Sequence, residues 1–474
     1  PHSTIKPGSA WVPLTKGMAN GDTVVAQSTP YGYGGIGVIR VTGPDALRIL
    51  GRLTNLSKER LRAFKPRLVY KEIVLDENKD PFDDAVLIYF KGPESYTGED
   101  LLEISCHGSP YILKYIIDLC INYGACPAGP GEFTKRAFIN GKIDLMQAES
   151  VANMVSASSH RGVSIALNGL RGALSKEIAV VRDKIINVLS YSEHLLDVSE
   201  EDIVDTNIAH IINKVTKIHK KVQKLIKNYN TCRIMTSGAV VVLCGPPNSG
   251  KSTLFNALVG SNRAIVNKEP GTTRDLLDAL IIIDGVPITL VDTAGLRDPE
   301  NDVESEGIQK ARDHMKGADL ACIINDITKI EVTTEMLDNN LLKGTPVVNV
   351  YNKIDLIKKG VLEKYSGVLK GGLITSALTG SGVEELKKHI IITLGLENNT
   401  TETFGITTPR QYNAIMKSDV AMASVIELAG HTPIQLELIS FELQNALRGV
   451  EDLLGIKTAD EILDNMFNSF CVGK

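Results

Sequence analysis

Gly245-Pro246-Pro247-Asn248-Ser249-Gly250-Lys251-Ser252 stands directly behind the apolar run Ala239-Val240-Val241-Val242-Leu243-Cys244 and ahead of Thr253-Leu254-Phe255-Asn256-Ala257-Leu258. The eight residues spell G-x-x-x-x-G-K-S between a buried strand and a helix, the setting a phosphate loop requires. Glycines without a Cβ let consecutive backbone N–H groups curl around a β-phosphate. Lys251 is placed to reach the β- and γ-oxygens, and the Ser252 hydroxyl to ligate Mg²⁺. Asn248, Ser249, Gly250, Lys251, Ser252 and Thr253 are the expected cradle. An eight-residue pattern also matches unrelated chains by chance, so the reading gains its force from the further nucleotide motifs downstream and their order.

A second apolar strand, Thr345-Pro346-Val347-Val348-Asn349-Val350-Tyr351, runs into Asn352-Lys353-Ile354-Asp355. A carboxylate at Asp355 can accept from the guanine N1–H and exocyclic amine together, a donor pair that adenine lacks. Asn352 is expected at the O6/N7 edge, with Lys353 beside it. Ser376-Ala377-Leu378, behind the strand-like Gly372-Leu373-Ile374-Thr375, is expected to close over O6 with its backbone. An isolated N-K-x-D reads equally well as a charged helix start; behind a phosphate loop it reads as guanine specificity.

The γ-phosphate sensor is Asp292-Thr293-Ala294-Gly295, at the end of Val286-Pro287-Ile288-Thr289-Leu290-Val291. Asp292 is expected to hold Mg²⁺ through water and the Gly295 N–H to touch the γ-phosphate. Between cradle and sensor lies the switch, Glu269-Pro270-Gly271-Thr272-Thr273-Arg274-Asp275, with Thr273 as second Mg²⁺ ligand and Gly271 and Thr272 beside the nucleotide. Ras-like enzymes follow the sensor glycine with a water-orienting glutamine. Here that residue is Leu296, so hydrolysis must recruit another polar group. Arg297 can lean on the phosphates, although a solvated or paired arginine is the ordinary reading.

These motifs sit in a 474-residue chain, long enough for two to four domains. Hydrophobic residues at 43% and a mean hydropathy of +0.01 supply ample core and carry no disorder signature. No apolar run has membrane-spanning length, which predicts a soluble protein. A net charge of −5 excludes a generally basic coat, so any RNA contact must use local patches. Seven scattered cysteines without a C-x-x-C pair predict reduced thiols in a cytosol-like compartment and no zinc site. His107 beside Cys106 reads as a packed turn before Gly108. Residues 1–17 have neither an apolar signal core nor an Arg-rich transit pattern. They read as a cloning remnant or the stub of a processed leader before Met18.

Up to about Ala137, short apolar runs alternate with Gly/Pro turns and a helix at 112–117, an α+β pattern. From Leu145 the chain turns to long helices. Ile211, Val215, Ile218, Val222, Leu225 and Tyr229 recur at three-and-four spacing as one apolar stripe. Lys214, Lys217, Lys221, Lys224 and Lys227 take the other faces, ordinarily a solvated surface, alternatively an RNA contact. A nucleotide domain from about Ser237 to Leu396 interrupts the helices, which resume from Arg410 to Phe470. The economical arrangement is a helical bundle with an inserted α/β domain.

The motifs resemble those of the MnmE (TrmE) tRNA-modifying GTPases across nearly the whole chain. The resemblance includes Asp22-Thr23-Val24-Val25-Ala26-Gln27, Ser95-Tyr96-Thr97-Gly98-Glu99-Asp100, Cys106-His107-Gly108, the run Pro130–Phe138, Asn140-Gly141-Lys142 and the closing Phe470-Cys471-Val472-Gly473-Lys474. It implies an α+β tetrahydrofolate-binding-like N-terminal domain at 19–138, a discontinuous all-α domain at 139–236 and 398–474, and an inserted α/β P-loop G domain at 237–397.

The resemblance further implies K⁺ beside the β/γ-phosphates, held by Asn248, Thr272 and the carbonyls of Asn267 and Glu269. Asn267 replaces a frequent family threonine, which matters little to a carbonyl ligand. Glu304 matches the water-organising carboxylate. Acids at Asp302 and Glu304 also suit a helix start, but the missing glutamine favours the catalytic reading. 5-Formyltetrahydrofolate is implied at a homodimer interface, with Arg40, Glu103, Lys142 and Lys474 as ligands and Cys471 in the modification chemistry. An FAD-dependent MnmG-type partner, in a heterotetramer, and tRNA modified at wobble-uridine C5 complete the expectation. Location follows as cytoplasmic, or the mitochondrial matrix. The rival is an Era-like GTP switch in ribosome assembly.

Overall fold

A computed structural model of the chain describes residues 21–196, 205–260, 278–292, 317–332, 344–357, 371–396, 404–429, 435–456, 460–468 and 470–473. They fall into two compact units. The first takes residues up to Ala152, Leu170–Val222 and from Asn413 onward; the second takes Asn153–Gly169 and Gln223–Tyr412.

The first unit holds a six-stranded sheet: β1 (Val24–Gln27), β2 (Ile36–Thr42), β3 (Val69–Leu75), β4 (Pro81–Phe90), β5 (Leu101–His107) and β6 (Cys126–Pro127), in the order β3-β4-β5-β2-β1-β6. All neighbours are antiparallel except β1 and β6. Alternate residues of β2 and β5 (Ile39 and Val41, Leu102 and Ile104) are buried on the face covered by α1 (Ala46–Thr54) and α3 (Pro110–Asn122), with the short α2 (Lys58–Arg62) between them in sequence. This half-buried alternation is what an antiparallel sheet with one packed face needs. On the other face, β2 and β5 put Arg40 directly opposite Glu103. After α4 (Glu132–Ile139) come α5 (Leu145–Ser156), α6 (His160–Leu170), α7 (Ala173–Leu196), α8 (Asp205–Lys227) and α9 (Tyr229–Ser237).

The second unit is built on β7 (Ala239–Cys244), β8 (Asp278–Ile283), β9 (Val286–Asp292), β10 (Leu320–Asp326), β11 (Val347–Asn352) and β12 (Leu373–Ile374), ordered β12-β11-β10-β7-β9-β8. Only β8 runs against its neighbour, through a hairpin closed at Asp284-Gly285. Val241, Leu243, Leu290, Cys322 and Ile324 face one core, which also takes up Leu254 and Leu258 of α10 (Lys251–Gly260) and Leu386 and Ile390 of α11 (Val383–Thr393). Val242, Cys244, Val291 and Ala321 face a second. Strands buried on both sides must be apolar throughout, hence the unbroken runs in sequence. Helix α9 belongs with this unit: Ile234 and Met235 lie in its core, and Ser159 Oγ donates to the Met235 carbonyl at 3.1 Å.

Beyond it, α12 (Pro409–Leu428), α13 (Leu436–Leu454) and α14 (Asp460–Asn468) complete the chain's helices among the described residues. Helix α13 packs along α7 in the first unit. The Ser192 and Ser440 hydroxyls share a buried 2.6 Å hydrogen bond, and Arg182 meets Glu451 at 3.6 Å. Helical segments on either side of the nucleotide sheet in sequence thus share one core. No helix among the described residues is long and apolar enough to cross a membrane.

Candidate functional site

The C-terminal ends of β7, β9, β10 and β11 gather the nucleotide motifs at one edge of the second sheet, the crevice where open α/β sheets take ligands. β7 delivers the chain into the 245–250 loop, and α10 begins at Lys251. Gly250 sits at φ +93°, where an added Cβ would lie 2.3 Å from Asn352 Nδ2. Asn248 is left-handed at φ 63° and exposed on the loop's rim. Lys251 is buried, and its Nζ donates to the carbonyls of Gly245 and Pro246, each at 2.9 Å. Ser252 Oγ donates to Asp292 Oδ2 at 2.8 Å, and Thr253 follows on the exposed face of α10. A hydroxyl and a carboxylate brought together from separate elements are the hard oxygen donors that Mg²⁺ takes.

At the other end, Asn352 is buried and its amide is a bracket. Nδ2 donates to the Ser249 carbonyl at 3.0 Å, and Oδ1 accepts from Ala377 N at 2.9 Å. Sequence reading placed this residue at the base edge; the fold employs it first to tie the phosphate loop to the 376–378 loop. Lys353 at φ 71° extends back over the phosphate loop, donating from Nζ to the Asn248 carbonyl at 2.5 Å and to Asp326 Oδ2 at 2.7 Å. Burial opposes ionisation of Asp326. The Lys353 ammonium and two bonds from Thr328 nevertheless hold its carboxyl below the ordinary range. Asp355 is exposed, and the buried Ser376 hydroxyl donates to one of its oxygens. That bond orients the carboxylate and leaves its second oxygen for a ligand. Ala377 is 9% and Leu378 78% exposed, so backbone and apolar surface face the rim.

Asn267, Glu269, Gly271, Thr272, Thr273, Thr293, Ala294, Gly295, Arg297, Glu304 and Lys474 lie outside the described residues. One group that sequence reasoning passed over belongs to this site: Asp326, which anchors Lys353. Within the expected cradle, the buried Ser249 hydroxyl has no hydrogen-bond partner among the described residues.

In the first unit, Arg40 Nε donates to Glu103 Oε1 at 2.8 Å across the sheet face. The pair lines a cavity of about 290 Å³ together with Phe90, Tyr96, Leu101, Val151 and Leu170. Tyr96 OH and Thr134 Oγ1 are 2.9 Å apart, and burial pushes the phenol's pKa up. A charged pair against aromatic and aliphatic walls suits a flat heterocycle with polar edges. Lys142 is not among the lining residues; its Nζ donates to the Pro93 carbonyl at 2.8 Å. The tail is seated elsewhere on this unit. Gly131 N donates to the Cys471 carbonyl at 3.3 Å, Val472 bridges Pro130, and Ser28 Oγ donates to the Gly473 carbonyl at 3.1 Å. Cys471 itself is exposed.

Known proteins resemble this chain along nearly its whole length. Residues 23–142 match the family model described as GTP-binding protein TrmE N-terminus, and residues 145–471 match the MnmE helical domain. The tRNA modification GTPase MnmE of Koribacter versatilis is 36% identical over 457 residues, covering 96% of this chain and 99% of that protein. That of Aquifex aeolicus is 37% identical over 457 residues, covering 96% and 100%. That of Fervidobacterium nodosum is 36% identical over 456 residues, covering 96% and 98%.

Proposed function

This chain belongs to the MnmE family of tRNA modification GTPases, and from that premise we propose how its residues divide the work. GTP is held by the phosphate loop, Asp355 reads guanine, and hydrolysis serves modification of wobble-uridine C5 in tRNA with an FAD-dependent MnmG-type partner. The observation that carries the GTPase half is the Asn352 bracket. It locks the phosphate cradle and the base-reading loop at a fixed separation, as a site that measures a whole nucleotide requires.

Mg²⁺ would be held by Ser252 and Thr273, with Asp292 behind it, and would neutralise phosphate charge. K⁺ would be held by Asn248, Thr272 and the carbonyls of Asn267 and Glu269, adding positive charge where an arginine finger acts in other GTPases. Lys251 balances charge on the phosphates, Glu304 accepts from the attacking water in place of the missing glutamine, and Arg297 steadies the phosphates. G-domain pairing and opening then reorganise the modification site.

A folate carrying a one-carbon unit would be held by Glu103 against pterin donors and by Arg40, with Lys142 and Lys474 toward the polar tail; Cys471 takes part in the chemistry. The N-terminal folate-like domain, as in the family, would pair two copies. The domains are proposed as 19–138, 139–236 with 398–474, and 237–397. The Era-like alternative is disfavoured by the TrmE-type match over 23–142. Mass spectrometry of tRNA from a deletion strain tests the reading. Loss of the C5 group, restored by the gene, is the expected result; a normal wobble uridine overturns it. GTP turnover in K⁺ against Na⁺ tests the cation.

A further inference from the structure

We propose that the lysine-bearing flank formed by α8 and the adjacent part of α7 holds the phosphate backbone of the tRNA. This rests on the reading that the chain acts on tRNA, and adds where the RNA is held. The 23 residues of α8 carry six lysines against a single acid, Asp205, in a chain whose net charge is −5. At 100° per residue, Lys214, Lys217 and Lys221 fall on one strip beside the buried Ile211, Val215, Ile218 and Val222, and Lys220 lies opposite that apolar stripe.

Lysines at three-and-four spacing repel one another, so the strip weakens the isolated helix. Among the described residues, only Lys221 of these four has an ion-pair partner, Glu177 at 3.3 Å. Lys214, Lys217 and Lys220 are exposed and make none.

Helix α7 lies antiparallel alongside. Glu177 meets Lys221, and the Tyr191 and His210 rings stand 5.3 Å apart. Exposed Lys184 falls between those two contacts and adds a positive charge to the same flank. Of the acids nearby, Glu177 pairs with Lys221, Asp183 with Arg182, and Asp419 is hydrogen-bonded to the His219 ring at 2.8 Å. Lys214 to Lys221 spans about 10 Å of helix, roughly three successive phosphates on a strand. Asn213 and Thr216, polar and small, flank the strip, so no apolar wedge suits it to a lipid surface.

The test uses the full chain and labelled, unmodified tRNA, with binding followed by anisotropy from about 50 to about 200 mM salt. Lys184→Ala, Lys214→Ala, Lys217→Ala and Lys220→Ala combined should weaken binding at least about tenfold at low salt and lower the log–log salt slope by about three. GTP hydrolysis without tRNA should be unchanged, and arginine at the same four positions should restore binding. If the alanine protein fails to fold, single Lys→Glu changes at these exposed positions read the same slope. Equal affinity and slope in both proteins, a wild type that holds no tRNA, or a variant that loses only an acidic protein partner overturns the proposal. Wobble-uridine analysis in complemented cells separates the two readings. RNA binding lost as expected with no C5 modification even by wild type sinks the modification chemistry alone. Normal modification by a variant that also binds normally sinks the interface alone.

Discussion

Asn352 Nδ2 donates to the Ser249 carbonyl at 3.0 Å, so the end of β11 and the phosphate loop form one hydrogen-bonded piece. Residues 103 apart in sequence are joined by an amide that is only 1% exposed. Neither loop can shift without breaking a bond in a dry setting, where an abandoned donor or acceptor costs about 1–3 kcal/mol.

Asn352→Ala therefore strips partners from the Ser249 carbonyl and the Ala377 N–H together. GDP and GTP affinity should fall in parallel by about 10- to 100-fold, at about 1.4 kcal/mol per tenfold. Fluorescent-nucleotide titration checks it. A change confined to GTP would show that the bracket does not set the cradle.

Asp355→Asn should redirect the base preference. A carboxylate there can accept from two guanine donors, whereas an amide offers an N–H to the carbonyl that xanthine carries in place of the amine. Loss of guanine affinity by about two orders of magnitude, with xanthine nucleotides now bound better, follows from hydrogen bonds to a charged group worth about 1.5–3 kcal/mol each. Competition between GDP and XDP measures it.

Gly473→Ala attacks the tail. Gly473 sits at φ +89°, and a Cβ there would lie 2.1 Å from the Gln27 carbonyl oxygen. Both strain and clash push the segment off Ser28 and Pro130. GTP hydrolysis should survive and tRNA modification should drop steeply, read by turnover and nucleoside mass spectrometry on the same variant.

Thiol chemistry should divide the cysteines. Cys126 and Cys471 are exposed; Cys106, Cys120, Cys232, Cys244 and Cys322 are buried. Native alkylation near neutral pH should label the first two and denaturation should release the rest. Burial pushes Cys106 up to about 11 and Cys120 and Cys322 up to about 12. Unfolded thiols ionise first, near pH 8.5–9, so the unfolded chain loses protons that the folded chain keeps. Stability contributed by these neutral thiols is intact below about pH 8.5 and declines as pH rises toward 11–12. Urea midpoints between neutral and alkaline pH check the sign.

Much of this was legible in the sequence where function demands contiguous residues. Lys251, Ser252, Asp292 and Asp355 sit in motifs whose spacing is set by one loop or one strand end. The sheet strands announced themselves by apolar runs, and α8 by its stripe. What escaped depends on neighbours that only folding creates. Asp326 becomes the anchor of Lys353 because β10 and β11 are parallel neighbours in register, Asp326 beside Asn352. Phe90, Tyr96, Val151 and Leu170 share a cavity wall although no local pattern links them. The Asp284-Gly285 hairpin signal was present and went unread, so β8 was missed. Lys142, grouped with Arg40 by resemblance, donates to the Pro93 carbonyl, a contact that no sequence pattern announces.

Ser28 and Gly473 stand 445 positions apart, yet one carries the hydroxyl that fastens the other's carbonyl. Closing that clasp therefore means shutting a loop that spans nearly every described residue, an entropic cost that is met only when both strand systems around it are already folded.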